Sequence, residues 1–343
     1  SSLALGRGAG AHGSYSTSIG YYTTATGQSS LAIGGQGGYN TRASGSNAVA
    51  IGSYSKSEGS GSFTGPYSYA SGNYSVSMGI SNGSTSLGAL GANSIAIGTS
   101  AVSSGTRSFA VSNSRAGAND SVAMMIGNNT TSYGATSGSR NLAMGELAKS
   151  SSGSYALGSQ ALAEGERSYV FGTGSQTDQK RSMALGYQSK PASEDTLSFA
   201  GGNFSSAGDG QRSFTVLRCS TTDATETSLT TNDNGTVSSG NQIVLPNNSA
   251  FVFEGLLIAR EQASSGTDVG AWKVEGSIRR EGSAGTTTLI HNTVTSIGTA
   301  PSGWSLAITA DTTRGAAKFA VTGAASTNIR WVLKIDTAEV TYA

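Results

Sequence analysis

The side chains best suited to chemistry are few in this sequence, and they lie far apart. His12 and His291 are the only histidines, so a Ser-His-Asp relay has little to be built from. His12 meeting copies of itself on a symmetry axis would hold a metal or an anion; the plainer reading is a polar residue on an outward turn. Cys219 is the sole cysteine, which excludes an intrachain disulfide framework and reads as a small buried hydrophobe. Three pairs of carboxylates stand close in sequence: Glu164 with Glu166, Glu194 with Asp195, and Asp223 with Glu226. Glycosidases hold two carboxylates about 5–9.5 Å apart. All six lie among Ser and Thr in turns, however, where a solvated charge is the ordinary outcome, so binding is expected rather than cleavage. Of the three tryptophans, Trp272 and Trp331 sit inside alternating runs and are expected in a core. Trp304 follows Pro301-Ser302-Gly303 and is, of the three, the candidate surface ring able to stack on a sugar, with a place in the core as the equal alternative. With Arg279, Arg280 and Arg314, which suit an anionic group, it makes up the expected glycan-binding set. No CxxC, HExxH or P-loop pattern occurs, and neither a metal nor a cofactor is expected.

The elements that must carry these residues are written in one repeated phrase, Ser–apolar–small–apolar–Gly. It stands at 154–158 as SYALG and again at 182–186 as SMALG, with closing glycines Gly158, Gly172 and Gly186 fourteen residues apart. Followed back, it recurs with Leu3 and Leu5, Leu31 and Ile33, Ile95 and Ile97, and Leu142 and Met144 as its apolar pairs, and with Met183 and Leu185 near the end. Gly6, Gly20, Gly34, Gly98 and Gly145 close further copies, and a glycine beat of seven runs through 38, 45, 52 and 59. Alternation of apolar and small residues is the period of a strand, and glycine closes each phrase with a bend. The predicted unit is a coil of about fourteen residues holding two short strands.

Other readings of a seven-residue beat fail. A coiled coil keeps glycine out of its repeat positions, since each interior Gly costs about 1 kcal/mol against Ala. Collagen requires Gly at every third position, and the chain has only 4 prolines. With 49 glycines among 343 residues and a formal net charge of +1, the composition carries neither a basic field for nucleic acid nor an apolar run of membrane-spanning length. Ser1 falls directly on the repeat, so the chain is expected to be a fragment of something longer.

Each coil orders its backbone at roughly 1–2 kcal/mol per residue, whereas two large apolar side chains return about 1.5–3 kcal/mol each on full burial. The apolar pair projects to one side of its strand and the small residue to the other, leaving an apolar face in need of a partner. The expectation is a homotrimer, with identical chains packing that face around a common axis. About fourteen coils at ~4.8 Å predict a rod of ~65 Å.

The phrases SLAIG, SIAIG, NLAMG and SMALG resemble the head repeat of trimeric autotransporter adhesins, the YadA-type head, whose signature is Asn-Ser-Val-Ala-Ile-Gly. The resemblance covers roughly residues 1–201. It implies a left-handed parallel β-roll, a trimer, and heads that bind host surfaces or matrix proteins; the same roll occurs in phage fibres. Two departures stand out: Ser112 replaces a closing glycine, and the copy at 121–127, SVAMMIG, is two residues too long.

From about Gln211 the beat stops. Alternating runs appear at 213–218, 242–245, 250–263, 272–280, 286–297, 304–309, 316–322 and 328–342, separated by turn-rich pieces such as 231–235 and 264–266. They read as an antiparallel β-sandwich or jelly roll. The expected domains are therefore a β-roll over 1–210 and a C-terminal sandwich over 211–343, with 220–240 as connector or first hairpin. The C-terminal sequence resembles the terminal domain of phage tail fibres and other virion structural proteins. Together the resemblances imply an all-β virion tail fibre that attaches to a bacterial surface glycan resembling lipopolysaccharide through its tip, with other virion tail proteins as partners. A bacterial autotransporter head at the cell surface and a glycan-cleaving tailspike are the alternatives. Neither a nucleic-acid partner nor membrane insertion is expected.

Overall fold

The computed structural model describes residues 1–35, 40–79, 84–233, 235–262 and 266–342. Gly38, Asn234 and the expected strand and turn residues 263–265 lie outside them. The chain packs as two compact units, Ser1–Glu164 and Gly165–Ala343. Among the described residues it is all-β, with one 3-10 turn at Ala284–Thr286 and no α-helix.

The first unit is a parallel solenoid. Strands such as Leu3–Leu5, Thr17–Gly20, Leu31–Gly34 and Val49–Ile51 stack in one sheet, and Thr23–Ala25, Thr41–Ala43 and Lys56–Ser57 stack in a second. Register is kept from coil to coil, Leu31 pairing with Val49 and Ala32 with Ala50. The reason for the phrase is visible in its side chains. Its middle residue points inward, and Ala32, Ala50, Ala96, Ala110 and Ala143 are fully buried. The interior between the sheets has room for methyls and hydroxyls, and pairs such as Ser57 with Ser62 at 2.6 Å and Ser103 with Ser108 at 2.6 Å link one sheet to the other. The opening serine is buried too and closes the turn before it, Ser30 donating to the Gly27 carbonyl at 2.7 Å and Ser108 to Gly105 at 2.6 Å. A hydroxyl at that place satisfies a buried carbonyl and fixes the turn.

The departures are absorbed locally. Ser112 itself takes the left-handed backbone of the missing glycine, at φ 44°. In the overlong copy Met125 turns outward at φ 58° while Ile126 is buried.

The second unit opens with the same grammar in Tyr169–Phe171, Gln176–Thr177 and Met183–Tyr187. Strand β1 (Thr196–Gly201) pairs in parallel with Met183–Tyr187 and antiparallel with β2 (Gly210–Thr221). The change of direction is made over residues 202–209, where the Asp209 carboxylate accepts the backbone N–H groups of Phe204, Ser205 and Ser206 at 2.8, 2.6 and 2.7 Å. The remaining strands are β3 (Thr227–Ser228), β4 (Ile243–Val244), β5 (Ser249–Glu261), β6 (Val269–Arg280), β7 (Thr288–Ser296), β8 (Ser305–Asp311), β9 (Ala316–Thr322) and β10 (Ile329–Thr341). The large sheet runs β1-β2-β10-β5-β6-β7, antiparallel throughout. A smaller sheet is built on β9, with β8 along one edge and β3 and β4 along the other.

The two sheets enclose one core, in which Leu217, Phe253, Leu257 and Trp331 of the large sheet meet Phe319 and Val321 of the small one and Leu229 just beyond β3. Phe253 and Phe319 pack edge to face at 5.4 Å, and Trp331 stacks on Trp272 at 5.8 Å while its indole N–H donates to the Thr221 hydroxyl at 3.0 Å. Every second residue of β2, β5 and β10 is buried here, the alternation that a one-sided sheet requires.

Candidate functional site

The strands that bury small residues present large ones outward. Leu3, Leu5, Ile95 and Leu185 are exposed, Leu5 at 60%, and Leu31, Ile33, Ile97, Leu142, Met144 and Met183 are half-buried, each in the outward position of its strand. Gly6, Gly20, Gly34, Gly98, Gly145, Gly158, Gly172 and Gly186 all have positive φ, as turns closing these strands. Within the second unit the outward ladder runs on without a break. Met183 pairs with Leu197 and Leu197 with Phe214; Leu185 pairs with Phe199 and Phe199 with Arg212, whose guanidinium lies over the Phe214 ring at 4.3 Å. On the large sheet the outward face continues as Val216, Val252, Leu256, Ile258 and Val332, all exposed, Val252 at 61%. Apolar surface of this extent marks an interaction face.

The same face carries a groove of about 580 Å³ lined by Arg212, Val252, Glu254, Glu275, His291 and Asp336, among others. Strand register sets Asp336 opposite Glu254 and Glu254 opposite Glu275. Cations answer this row: Arg212 pairs with Asp336 at 3.0 Å, Lys334 with Asp336 at 3.7 Å and Lys273 with Glu275 at 2.9 Å. The hydrogen bond from Lys273, with its charge, holds the Glu275 carboxyl below the usual carboxylate range. These carboxylates come from runs far apart in sequence, and only strand pairing could have found them. His12 belongs to the first unit and His291 to the second; the His291 ring shares a 3.2 Å hydrogen bond with Thr293. Among the described residues no group of three or more His, Cys, Asp or Glu side chains is placed to hold a metal, and no helix is long and apolar enough to cross a membrane.

The expected glycan-binding set does not converge. Trp304, for which the sequence left surface and core both open, is 7% exposed and lies in the core with its ring 5.5 Å from Trp331. The turn at 301–303 directs the indole under the sheet rather than out of it, because only the core offers that much apolar contact. The Arg280 guanidinium donates to the Leu245 carbonyl at 2.6 Å, tying β6 to the end of β4. Arg314 pairs with Asp311 at 3.2 Å. Burial works to raise the Asp311 pKa, but the N–H groups of Arg314 and Thr313 and the Arg314 guanidinium together hold it below its ordinary value. Arg279 is exposed, 3.8 Å from Glu281.

Each of the paired carboxylates of the sequence is answered by a cation or a backbone N–H. Glu164 meets Lys149 at 2.5 Å, Glu166 meets Arg167 at 3.6 Å, and Glu194 and Asp195 share Arg181 at 3.4 and 2.6 Å. Glu226 meets Lys318 at 3.1 Å, and Asp223 accepts the Thr225 N–H at 2.7 Å. Cys219 is buried in the sandwich, which pushes its thiol up to about 12. Glu339 is buried as well. Burial raises its pKa although Thr337 and Gln211 donate to it, at 2.5 and 2.7 Å.

Residues 1–23, 38–62, 89–111, 150–168 and 163–189 match the YadA head domain repeat. Over those stretches the chain is similar to YadA-type head repeats. No curated protein matches the sequence. Among solved structures, the crystal structure of the Acinetobacter baumannii phage AM24 tailspike protein aligns with 98% of this chain, at 11% identity and a TM-score of 0.20. The chain spans about half of that protein's length, 54%.

Proposed function

We propose that this chain is the attachment segment of a homotrimeric fibre, carried on a bacteriophage virion, that binds a bacterial surface glycan through its C-terminal sandwich. The observation carrying the reading is a roll of head repeats whose largest side chains point outward. Burying one such side chain is worth about 1.5–3 kcal/mol, and the ladder offers one or two in every coil, so three copies closing around an axis stabilise one another along its length. The rest of the roll surface is largely polar, with exposed tyrosines such as Tyr15 and Tyr74 at its turns, whereas the sandwich carries long turns and grooves. Three copies of a weak site convert to avidity on a repetitive surface. Other virion tail proteins are the expected neighbours of the fibre. A net charge of +1 supplies no overall basic field for nucleic acid, and no step of the reading needs a cofactor or membrane insertion.

The second reading is the head of a bacterial trimeric autotransporter adhesin, favoured by the head-repeat match itself. The full-length gene product separates the two: a virion-attachment region belongs to the first and a long signal peptide to the second. Binding without cleavage is tested with fluorescently labelled full-length chain on bacterial cells. Saturable attachment competed by purified surface glycan, with no new reducing ends, is the expected result. Attachment indifferent to glycan, or release of reducing ends, overturns it.

A further inference from the structure

At one end of the large sheet the strands finish in arginines. Register sets Ser220 of β2 opposite Arg330 of β10, and Arg330 opposite Arg260 of β5. Arg218 stands two residues before Ser220 on the same outward face. Like charges directly opposed across an antiparallel pair repel one another. Elsewhere on this face cations are answered, Arg212 by Asp336 and Lys273 by Glu275. Among the described residues Arg260 and Arg330 have no ion pair or side-chain hydrogen bond.

Beside them lies a cavity of about 450 Å³, lined also by Ser220, Thr222, Gln262 and Asn328. The two amides are locked together, Asn328 donating to Gln262 at 3.0 Å. The Glu261 carboxylate, at the cavity wall, is buried and faces the Asp268 N–H at 3.3 Å. Two unanswered guanidiniums fit a planar or tetrahedral anion in bidentate fashion, and the hydroxyls and amides around them suit the hydroxyls of a sugar ring.

We infer that this cavity takes the acidic sugar of a surface glycan, a hexose bearing a carboxylate or a phosphate. The inference rests on the glycan-attachment reading and names its ligand class. Arg330 and Arg260 clamp the anion from opposite strands, and Ser220 and Thr222 meet the ring. Their row lies at the strand ends, one row beyond Ile258 and Val332, the last apolar pair on that face.

The test is calorimetric titration of the full-length protein with hexagalacturonate, mannose 6-phosphate and maltohexaose, run beside the cell-attachment assay. At least one acidic probe binds and weakens with added salt, while neutral maltohexaose does not bind. R260Q and R330Q each lower that affinity about tenfold, and R167Q, an exposed arginine among the repeat strands, leaves it unchanged. Unaltered circular dichroism of the variants shows that the fold is intact. Which acidic probe binds distinguishes carboxylate from phosphate. Failure of both, or R260Q and R330Q binding as the parent does, overturns the inference. Cells bound by a protein that takes neither acidic probe sink the cavity and leave attachment standing. Arginine-dependent probe binding without cell attachment does the reverse.

Discussion

Replacing Gly20 by alanine separates the two reasons why a glycine closes each coil. Gly20 has φ +126°, a region sparsely populated by residues with a side chain, and occupying it costs about 1–3 kcal/mol. A Cβ there would also strike the carbonyl oxygen of Gly34 in the next coil. That neighbour is backbone and cannot swing aside, so the coils must part locally, with roughly one or two hydrogen bonds weakened at about 0.5–1.5 kcal/mol each. Together the loss is ~2–6 kcal/mol, which for a unit the size of Ser1–Glu164 lowers the unfolding midpoint by roughly 5–20 °C. Gly153 has positive φ as well, +78°, but the nearest neighbour to its Cβ position is the Ser139 carbonyl oxygen at 3.6 Å. G153A therefore incurs strain alone, ~1–2 kcal/mol. Gly117 has neither feature, its neighbours beginning at 3.6 Å, and G117A stays within about 0.5 kcal/mol. Thermal unfolding followed by far-UV circular dichroism reads all three. A G20A midpoint no lower than that of G153A refutes the close stacking of the turns.

Other consequences are as direct. L256E, placed on the exposed face of the large sheet, dissociates the trimer while leaving the protomer folded; unchanged sedimentation of this variant counts against that face as an interface. Asp209 and Glu339 give opposite pH signatures. Burial works to raise the Asp209 pKa, but the N–H groups of Ser206, Ser205 and Phe204 and the Ser205 hydroxyl outweigh it and hold it low. Its contribution is present above the unfolded value of about 3.9 and is lost as pH falls through the folded one. The stability gap between parent and D209N therefore closes on acidification. Glu339 is raised by burial, so its contribution is present below the unfolded value of about 4.3 and is lost as pH rises through the folded one. E339Q therefore compares best with the parent at neutral pH and loses that advantage in acid; denaturant midpoints across the pH range check both signs. The Cys219 thiol, pushed up to about 12 by burial, does not react with a disulfide reagent until the protein is denatured, and rapid labelling of the native protein contradicts its place in the core.

The repeat was legible because each position of the phrase has one job. Ser30 closes its turn, Leu31 and Ile33 face out, Ala32 fills the narrow interior and Gly34 permits the bend. Strand alternation was equally readable in the sandwich: the expected run 316–322 is β9, and the run 328–342 is β10 to within a residue at each end. The connector expected at 220–240 contains β3, a two-residue strand too short to leave a periodic signal. Pairing between strands was not legible. Arg260 and Arg330 are brought face to face by register, as are Asp336, Glu254 and Glu275, and nothing in either local sequence announces its partner. Trp304 stayed undecided for a related reason. A turn beside a tryptophan says that the chain bends there, and which way the ring then points depends on the sheet it lands against, here at Trp331.

The most direct test is the mass of the assembly in solution. Sedimentation equilibrium at micromolar concentration should give a single species of three times the chain mass of 34.4 kDa, because the proposed trimer covers the outward apolar side chains of each unit, Leu5 and Ile95 in the first and Leu185, Val252 and Leu256 in the second. A species at 34.4 kDa that stays monomeric as concentration rises would contradict it.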